Sequence, residues 1–246
     1  MSIPKIIHYC WFGGKPKSQE IKKCIESWSQ LLNEYEIIEW NESNYRSDSF
    51  FYNYCIDKKK LAFASDYARY DILSRLGGVY LDTDMLMVKP LNDLLDTDCF
   101  FGYESNNNIS CGIIASIKNQ PFINEVLYFL NSVNNEKYFD THNIVSVTNS
   151  VYQKSINSNL ILLPIVYPQD YFYAYPYNTS GEPMSFKTAN TYAIHLWNAS
   201  WYSLIQRAEL FFNKGQIKKA RLLFLKSVML NPLNIRFFKK FYLKCH

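Results

Sequence analysis

Leu76-Gly77-Gly78-Val79-Tyr80-Leu81-Asp82-Thr83-Asp84 is the stretch that decides the fold. Apolar residues at helical spacing predict a helix over Lys59–Leu76, and Gly77-Gly78 stands where a left-handed residue closes such a helix. Val79-Tyr80-Leu81 reads as a short buried strand that runs straight into two carboxylates. Acids at the C-terminal end of a strand lie where open α/β sheets bind ligands. Beyond the strand the backbone turns, so Asp82 and Asp84 can face one point.

Working outward, Lys5–Phe12 reads as a buried first strand ended by Gly13-Gly14 and Pro16. Ser18 is placed to cap a helix reaching about Leu32, with Ile21, Cys24, Ile25, Trp28 and Leu32 on one face. Strands are predicted at Tyr35–Trp40, Cys99–Tyr103, Cys111–Ser116, Leu160–Leu163 and Tyr192–Leu196. Helices are predicted at Pro121–Ser132 and Asn143–Lys154. Strands alternating with helices predict α/β architecture around a mainly parallel sheet. Tyr167–Lys187, rich in Tyr, Pro and Gly, reads as a long binding loop or lid.

The chain has 246 residues, 48% apolar and 20% charged, which suits a folded core and excludes global disorder. No stretch offers the ~20 apolar residues of a membrane-spanning helix. The start, Met1-Ser2-Ile3-Pro4-Lys5, lacks the apolar segment of a signal peptide, so the expected location is cytoplasmic. Six cysteines without C-x-x-C spacing read as reduced core residues. Charge is uneven: from Ser203 onward ten Lys/Arg face the single acid Glu209, giving +9 and leaving −5 on the first 202 residues. The expected domains are therefore a mildly acidic body at 1–202 and a basic helical appendage at 203–246. Within the appendage, Gly215, Ala220, Phe224, Leu230, Asn231-Pro232 and Asn234 are spaced like one tetratricopeptide unit.

Hard carboxylate oxygens at Asp82 and Asp84 suit Mg²⁺ or Mn²⁺, and a cation there can hold a diphosphate. Asp66 and Arg69, three apart, share a face of the preceding helix. The Gly77-Gly78 turn brings that face back beside the acidic pair. His195, ending a predicted strand, adds an imidazole and favours Mn²⁺ over Mg²⁺. Trp11 with Gly13-Gly14 offers a flat wall and a close backbone approach for a base.

Ile3–Phe12, the block Ala64-Ser65-Asp66-Tyr67-Ala68-Arg69-Tyr70 through Asp84, and His195–Trp201 resemble, in order and spacing, the Asp-x-Asp sugar-transferase family numbered 32. That family includes yeast-type initiating mannosyltransferases and bacterial capsule and exopolysaccharide transferases. The same blocks more distantly resemble the glucosylating domain of large clostridial toxins. The resemblance implies a GT-A type, Rossmann-like fold, a nucleotide-sugar donor, a divalent metal and retention of configuration. It implies that Trp11, beside Phe12 and Gly13, contacts the base, and that Ser65, Asp66 and Arg69 meet the ribose and sugar. Tyr80 would lie on the nucleotide, Asp82 would bridge ribose and metal, Asp84 and His195 would ligate the metal, and Ser200 or Trp201 would reach the diphosphate. Many relatives carry Gly-Pro after a late Thr, whereas here Thr148 precedes Asn149-Ser150.

Leaving-group charge would be stabilised by the metal with Arg69, making Asp82, Asp84 and Arg69 the catalytic set. Glu104, Asn108 and Asp140 are the candidate acceptor contacts, and front-face attack is expected over a covalent intermediate. The transferred group is expected to be a hexose or N-acetylhexosamine from a UDP-sugar, with GDP-mannose as the alternative donor, and the acceptor a saccharide, lipid-linked, in capsular or surface polysaccharide synthesis. A phosphohydrolase of the haloacid dehalogenase type fits poorly, since Leu86 stands where its hydroxyl residue belongs. An inactive adaptor using the tetratricopeptide-like tail is the non-enzymatic alternative. In the tail, Phe237, Phe238, Phe241 and Tyr242 interleave with Arg236, Lys239, Lys240 and Lys244, which suits an anionic membrane on the inner face of the plasma membrane. No nucleic-acid motif accompanies these cations.

Overall fold

The computed structural model describes residues 2–158, 162–177, 179–198 and 203–237, apart from the Asp140 side chain. The chain divides into two compact units, Met1–Ala174 with Lys187–His195, and Tyr175–Phe186 with Leu196–His246.

In the first unit the elements run β1 (Ile6–Cys10), α1 (Gln19–Leu31), β2 (Glu36–Trp40), α2 (Phe50–Asp57), α3 (Leu61–Leu76), β3 (Gly78–Leu81) and β4 (Met85–Met87). They continue with β5 (Cys99–Ser105), β6 (Asn108–Ser116), α4 (Pro121–Ser132), α5 (Tyr138–Thr141), α6 (Ile144–Ser158), β7 (Ile165–Tyr167), α7 (Gln169–Phe172) and β8 (Ala193–His195). Among the described residues, six strands form a mixed sheet in the order β2-β1-β3-β6-β5-β7. The pairs β1–β2, β1–β3 and β5–β7 are parallel, while β6 runs antiparallel to both β3 and β5. The expected α/β architecture with a parallel-rich sheet is what forms.

Local chemistry explains the boundaries. Ser18 caps α1 by accepting from Ile21 N at 3.3 Å, and Ile21, Cys24 and Trp28 are buried while the charged side faces out. Gln120 does the same for α4 at 3.0 Å from Ile123 N, with Pro121 at the first helical position. Helix α3 has no single apolar face, because α2 and α4 both pack on it and polar side chains are interspersed among its buried ones.

The α3–β3 turn differs from the expected left-handed cap. Gly77 has φ +68 and ψ −165, a region open essentially to glycine alone, and Gly78 has φ +103. A Cβ on Gly77 would lie 2.8 Å from Lys118 N, and one on Gly78 2.8 Å from both His8 Nε2 and Ile6 O. Both glycines are therefore required twice, for backbone angle and for close approach.

Two further elements depart from expectation, while the cysteines follow it. The strand expected at Leu160–Leu163 forms later, at Ile165–Tyr167; Leu162 and Leu163 are exposed, and Leu160 and Ile161 lie outside the described residues. Strand β8 is not in the main sheet but pairs with β4 in a separate two-stranded sheet. Cys10, Cys24, Cys55, Cys99 and Cys111 are buried free thiols, and Cys245 lies outside the described residues.

The second unit holds a helical hairpin, α8 (Leu204–Asn213) and α9 (Ile217–Leu230), then a 3-10 turn at Pro232–Phe237. Ser203 and Gln206 form a reciprocal capping box at the start of α8. Ala208 and Phe224 are buried where the helices meet, and Gly215, with φ +70, makes the turn. Within the same unit, Trp197 donates its indole N–H to Tyr175 O at 2.8 Å, and the Lys214 ammonium lies over the Tyr175 and Tyr177 rings at 5.1 and 5.3 Å.

Candidate active site

The acidic pair sits on a turn that the sheet builds. Asp82 N donates to Gly112 O at 2.7 Å on the neighbouring strand, and Met85 N closes the turn onto Asp82 O at 3.0 Å. The chain then enters β4, whose antiparallel register sets Met85 opposite His195. That pairing carries the imidazole to the acid one residue earlier: His195 Nε2 lies 3.0 Å from Asp84 Oδ1. One ligand atom each from Asp82, Asp84 and His195 falls within 4.8 Å of the others.

This donor set fits a divalent cation. Octahedral coordination at about 2.1 Å places neighbouring ligand atoms about 3 Å apart, so the Asp84–His195 spacing matches one edge. Two hard oxygens with one imidazole suit Mn²⁺ or Mg²⁺. Burial pushes the His195 imidazole down, but the charge and hydrogen bond of Asp84, with Asp82 and Glu104 behind them, raise it above its ordinary value. Tyr173 packs edge-on against His195 at 5.6 Å and accepts at its hydroxyl from Ile113 N at 3.1 Å.

Arg69 organises the other side. Its Nη2 lies 2.8 Å from Asp66 Oδ1 and its Nη1 3.3 Å from Asp82 Oδ1. The same guanidinium donates to Cys111 O at 2.7 Å and to Ser65 O at 3.3 Å, and stacks 4.5 Å from the Tyr80 ring centre. Burial works against its charge, yet Asp82, Tyr80 and Asp66 outweigh it and raise its pKa. Burial pushes the Asp66 carboxyl up to about 6; Arg69 restrains that rise and Asp82 adds to it. The Tyr80 hydroxyl donates to Asp82 Oδ1 at 3.2 Å. A Cβ on Gly112 would come within 3.2 Å of Asp82 Oδ2, so the absence of a side chain there gives the carboxylate room.

Other candidates are placed more variously. Ser65 Oγ bonds back to Leu61 O, and Phe12 is buried against Tyr45 and Tyr52. Half-buried Trp11 donates to Lys15 O at 2.7 Å with the Lys17 ammonium 5.3 Å over its ring, and Gly13 N donates to Glu42 Oε1 at 2.6 Å. Glu104 and Asn108 meet across the β5–β6 hairpin at 2.6 Å, and burial raises the Glu104 carboxyl. Ser200, Trp201 and the Asp140 side chain lie outside the described residues. The Thr148-Asn149 departure has a structural use: Thr148 is buried 2.6 Å from the Tyr70 hydroxyl, and Asn149 clasps Ile109 by both backbone groups at 3.0 and 2.9 Å. Sequence reasoning missed β4, Gly112 and Tyr173, since a three-residue strand and one tyrosine among many leave no pattern.

The fold is the GT-A type of glycosyltransferases, with paired acids and an imidazole at its strand ends. Residues 18–101 match the family described as glycosyltransferase sugar-binding region containing DXD motif. The match takes in the Asp66–Arg69 block and the Asp82/Asp84 pair, about a third of the chain. It is 27% identical over 230 residues to an uncharacterised glycosyltransferase of Acanthamoeba polyphaga mimivirus, covering 85% of this chain and 88% of that one. It is 30% identical over 147 residues to inositol phosphoceramide mannosyltransferase 3 of Schizosaccharomyces pombe, covering 51% of this chain but 36% of that one. Among solved structures it is similar to the PaToxG glycosyltransferase, with TM-score 0.52 and 22% identity over 63% of this chain and 71% of that one.

Proposed function

We propose that this chain transfers a hexose from a nucleotide sugar to a lipid-linked saccharide or inositol-phosphate headgroup, using a divalent cation held by Asp82, Asp84 and His195. The observation that carries the reading is the convergence of those three ligand atoms within 4.8 Å, with Arg69 3.3 Å from Asp82. When bound, the cation supplies Lewis-acid stabilisation to a diphosphate leaving group. The chain's own part is positioning. Asp66 and Tyr80 bracket the guanidinium, so Arg69 stays charged and aimed, and Asp82 is fixed at one oxygen by Arg69 and Tyr80.

Mn²⁺ is the favoured ion because imidazole completes the set. The donor is a UDP-hexose or GDP-mannose, and the mannosyl transfer named for the fission-yeast relative supports mannose. Retention by front-face attack is the favoured course; a glycosyl adduct trapped on Glu104 would overturn it. Surface polysaccharide synthesis is the role that a saccharide acceptor of this kind would serve. Nucleotide release measured over a panel of UDP- and GDP-sugars, with and without Mn²⁺, tests the reading. Metal-dependent release from one donor is expected. Metal-independent release, or none in the presence of acceptor, metal and demonstrated nucleotide binding, contradicts it.

A further inference from the structure

Helix α9 has two distinct faces and no acidic residue. Ala220, Phe224 and Ser227 are buried, with Phe224 packed against Ala208 of α8. At 100° per residue, Leu222, Leu225 and Met229 fall in one stripe on the opposite side. These three, with Leu230, Leu233 and Ile235 just beyond, are 51% to 83% exposed. Exposed Lys218 and Lys226 share the same outward arc, and exposed Arg236 follows on the 3-10 turn. Scattered exposed leucines are ordinary, but six large apolar residues within fourteen positions form a patch.

We propose that this outward face of α9 and the following turn docks on an anionic lipid surface. Charge complementarity selects that occupant. The segment from Ser203 onward carries +9, so a second copy presenting the same face would be repelled. Nucleic acid would leave six large apolar side chains without a use. A helix with apolar side chains interleaved by lysines seats its apolar groups at the acyl boundary while the lysines reach headgroup phosphates. The inference does not depend on the donor site, though it would hold a transferase beside a lipid-linked acceptor.

The test is flotation of the full chain with vesicles of phosphatidylcholine alone and of phosphatidylcholine mixed with phosphatidylglycerol. Wild type should bind the anionic vesicles at least about tenfold better than the neutral ones. Lys218→Glu/Lys226→Glu should weaken binding more than about 25-fold, taking about fivefold per cation. Leu222→Ser/Leu225→Ser/Met229→Ser should weaken it at least about tenfold. Both variants change exposed positions and should keep soluble-donor turnover, which checks their folding. Equal binding to both vesicle types overturns the proposal, as does flotation of the serine variant like wild type. A wild-type dimer that the serine variant makes monomeric, with lipid binding unchanged, assigns the face to a second copy instead. Failure of the wild type to float with either vesicle type, with nucleotide release intact, sinks this inference and leaves the transferase reading standing.

Discussion

Removing the Arg69 guanidinium should damage the fold as well as the chemistry. Arg69→Met strips Asp66 of a partner at 2.8 Å and Asp82 of one at 3.3 Å, and leaves the Cys111 carbonyl without its 2.7 Å donor. Asp82 keeps its Tyr80 hydrogen bond and partial solvent access. Asp66 is the exposed weakness of the variant, because burial already pushes it up to about 6 with Arg69 in place. Breaking a buried pair by removing one member costs about 3–5 kcal/mol, since the remaining charge stays desolvated. At about 2 °C per kcal/mol for a chain of this size, the melting midpoint should fall by roughly 6–10 °C. Asp66→Asn in the same background removes the stranded charge and should recover at least about 1–2 kcal/mol. A double-mutant cycle by urea unfolding measures this coupling. If Arg69→Met costs under about 1 kcal/mol, or if Asp66→Asn is simply additive, the reasoning about a mutually supported triad is wrong.

Gly78→Ala should cost about 3 kcal/mol, because φ is +103 and the new Cβ would stand 2.8 Å from His8 Nε2 and Ile6 O; urea unfolding would show it, and a loss below about 1 kcal/mol would contradict the fit. His8 should stay neutral in the native protein down to about pH 4, since burial lowers it by more than the 2.9 Å bond from Nε2–H to Gly77 O raises it, and Trp40 Nε1–H donates to its Nδ1 at 3.2 Å. The unfolded imidazole titrates near 6.5, so His8's contribution is complete above that pH and falls away towards 4, by about 3 kcal/mol. An imidazole NMR titration with a midpoint near 6.5 in the folded chain would refute this. Glu104→Gln should lower transfer to acceptor at least about tenfold while leaving donor hydrolysis within about twofold, and equal losses in both assays would remove Glu104 from the acceptor side.

How far the sequence revealed this architecture depended on where the determining interactions lie. Helix α4 was readable to the residue because its cap and its Pro121 start are encoded within four positions. The acidic pair and the Asp66/Arg69 face were readable for a similar reason, one from a strand followed by Asp-x-Asp and the other from an i, i+3 spacing. Strand β4 was not, because Met85-Leu86-Met87 is too short to show a period and exists through its pairing with β8. His195 could therefore be named as a ligand, but not the register that delivers it to Asp84. Helix α2, Phe50–Asp57, escaped because its aromatic run has no side-chain cap and takes its shape from packing on α3. Asn149 looked like a departure from a pattern, and its bonds to Ile109 are tertiary, which local spacing does not encode.

The most direct test of the central claim is a Mn²⁺ titration of nucleotide-sugar turnover in wild type and in Asp84→Asn. Asp84→Asn keeps the side chain's size and removes the charge facing His195. Saturable metal activation in wild type, lost in Asp84→Asn while its thermal unfolding stays within a few degrees, is the predicted result. Metal-activated turnover of equal size in both proteins would contradict a centre built on Asp82, Asp84 and His195.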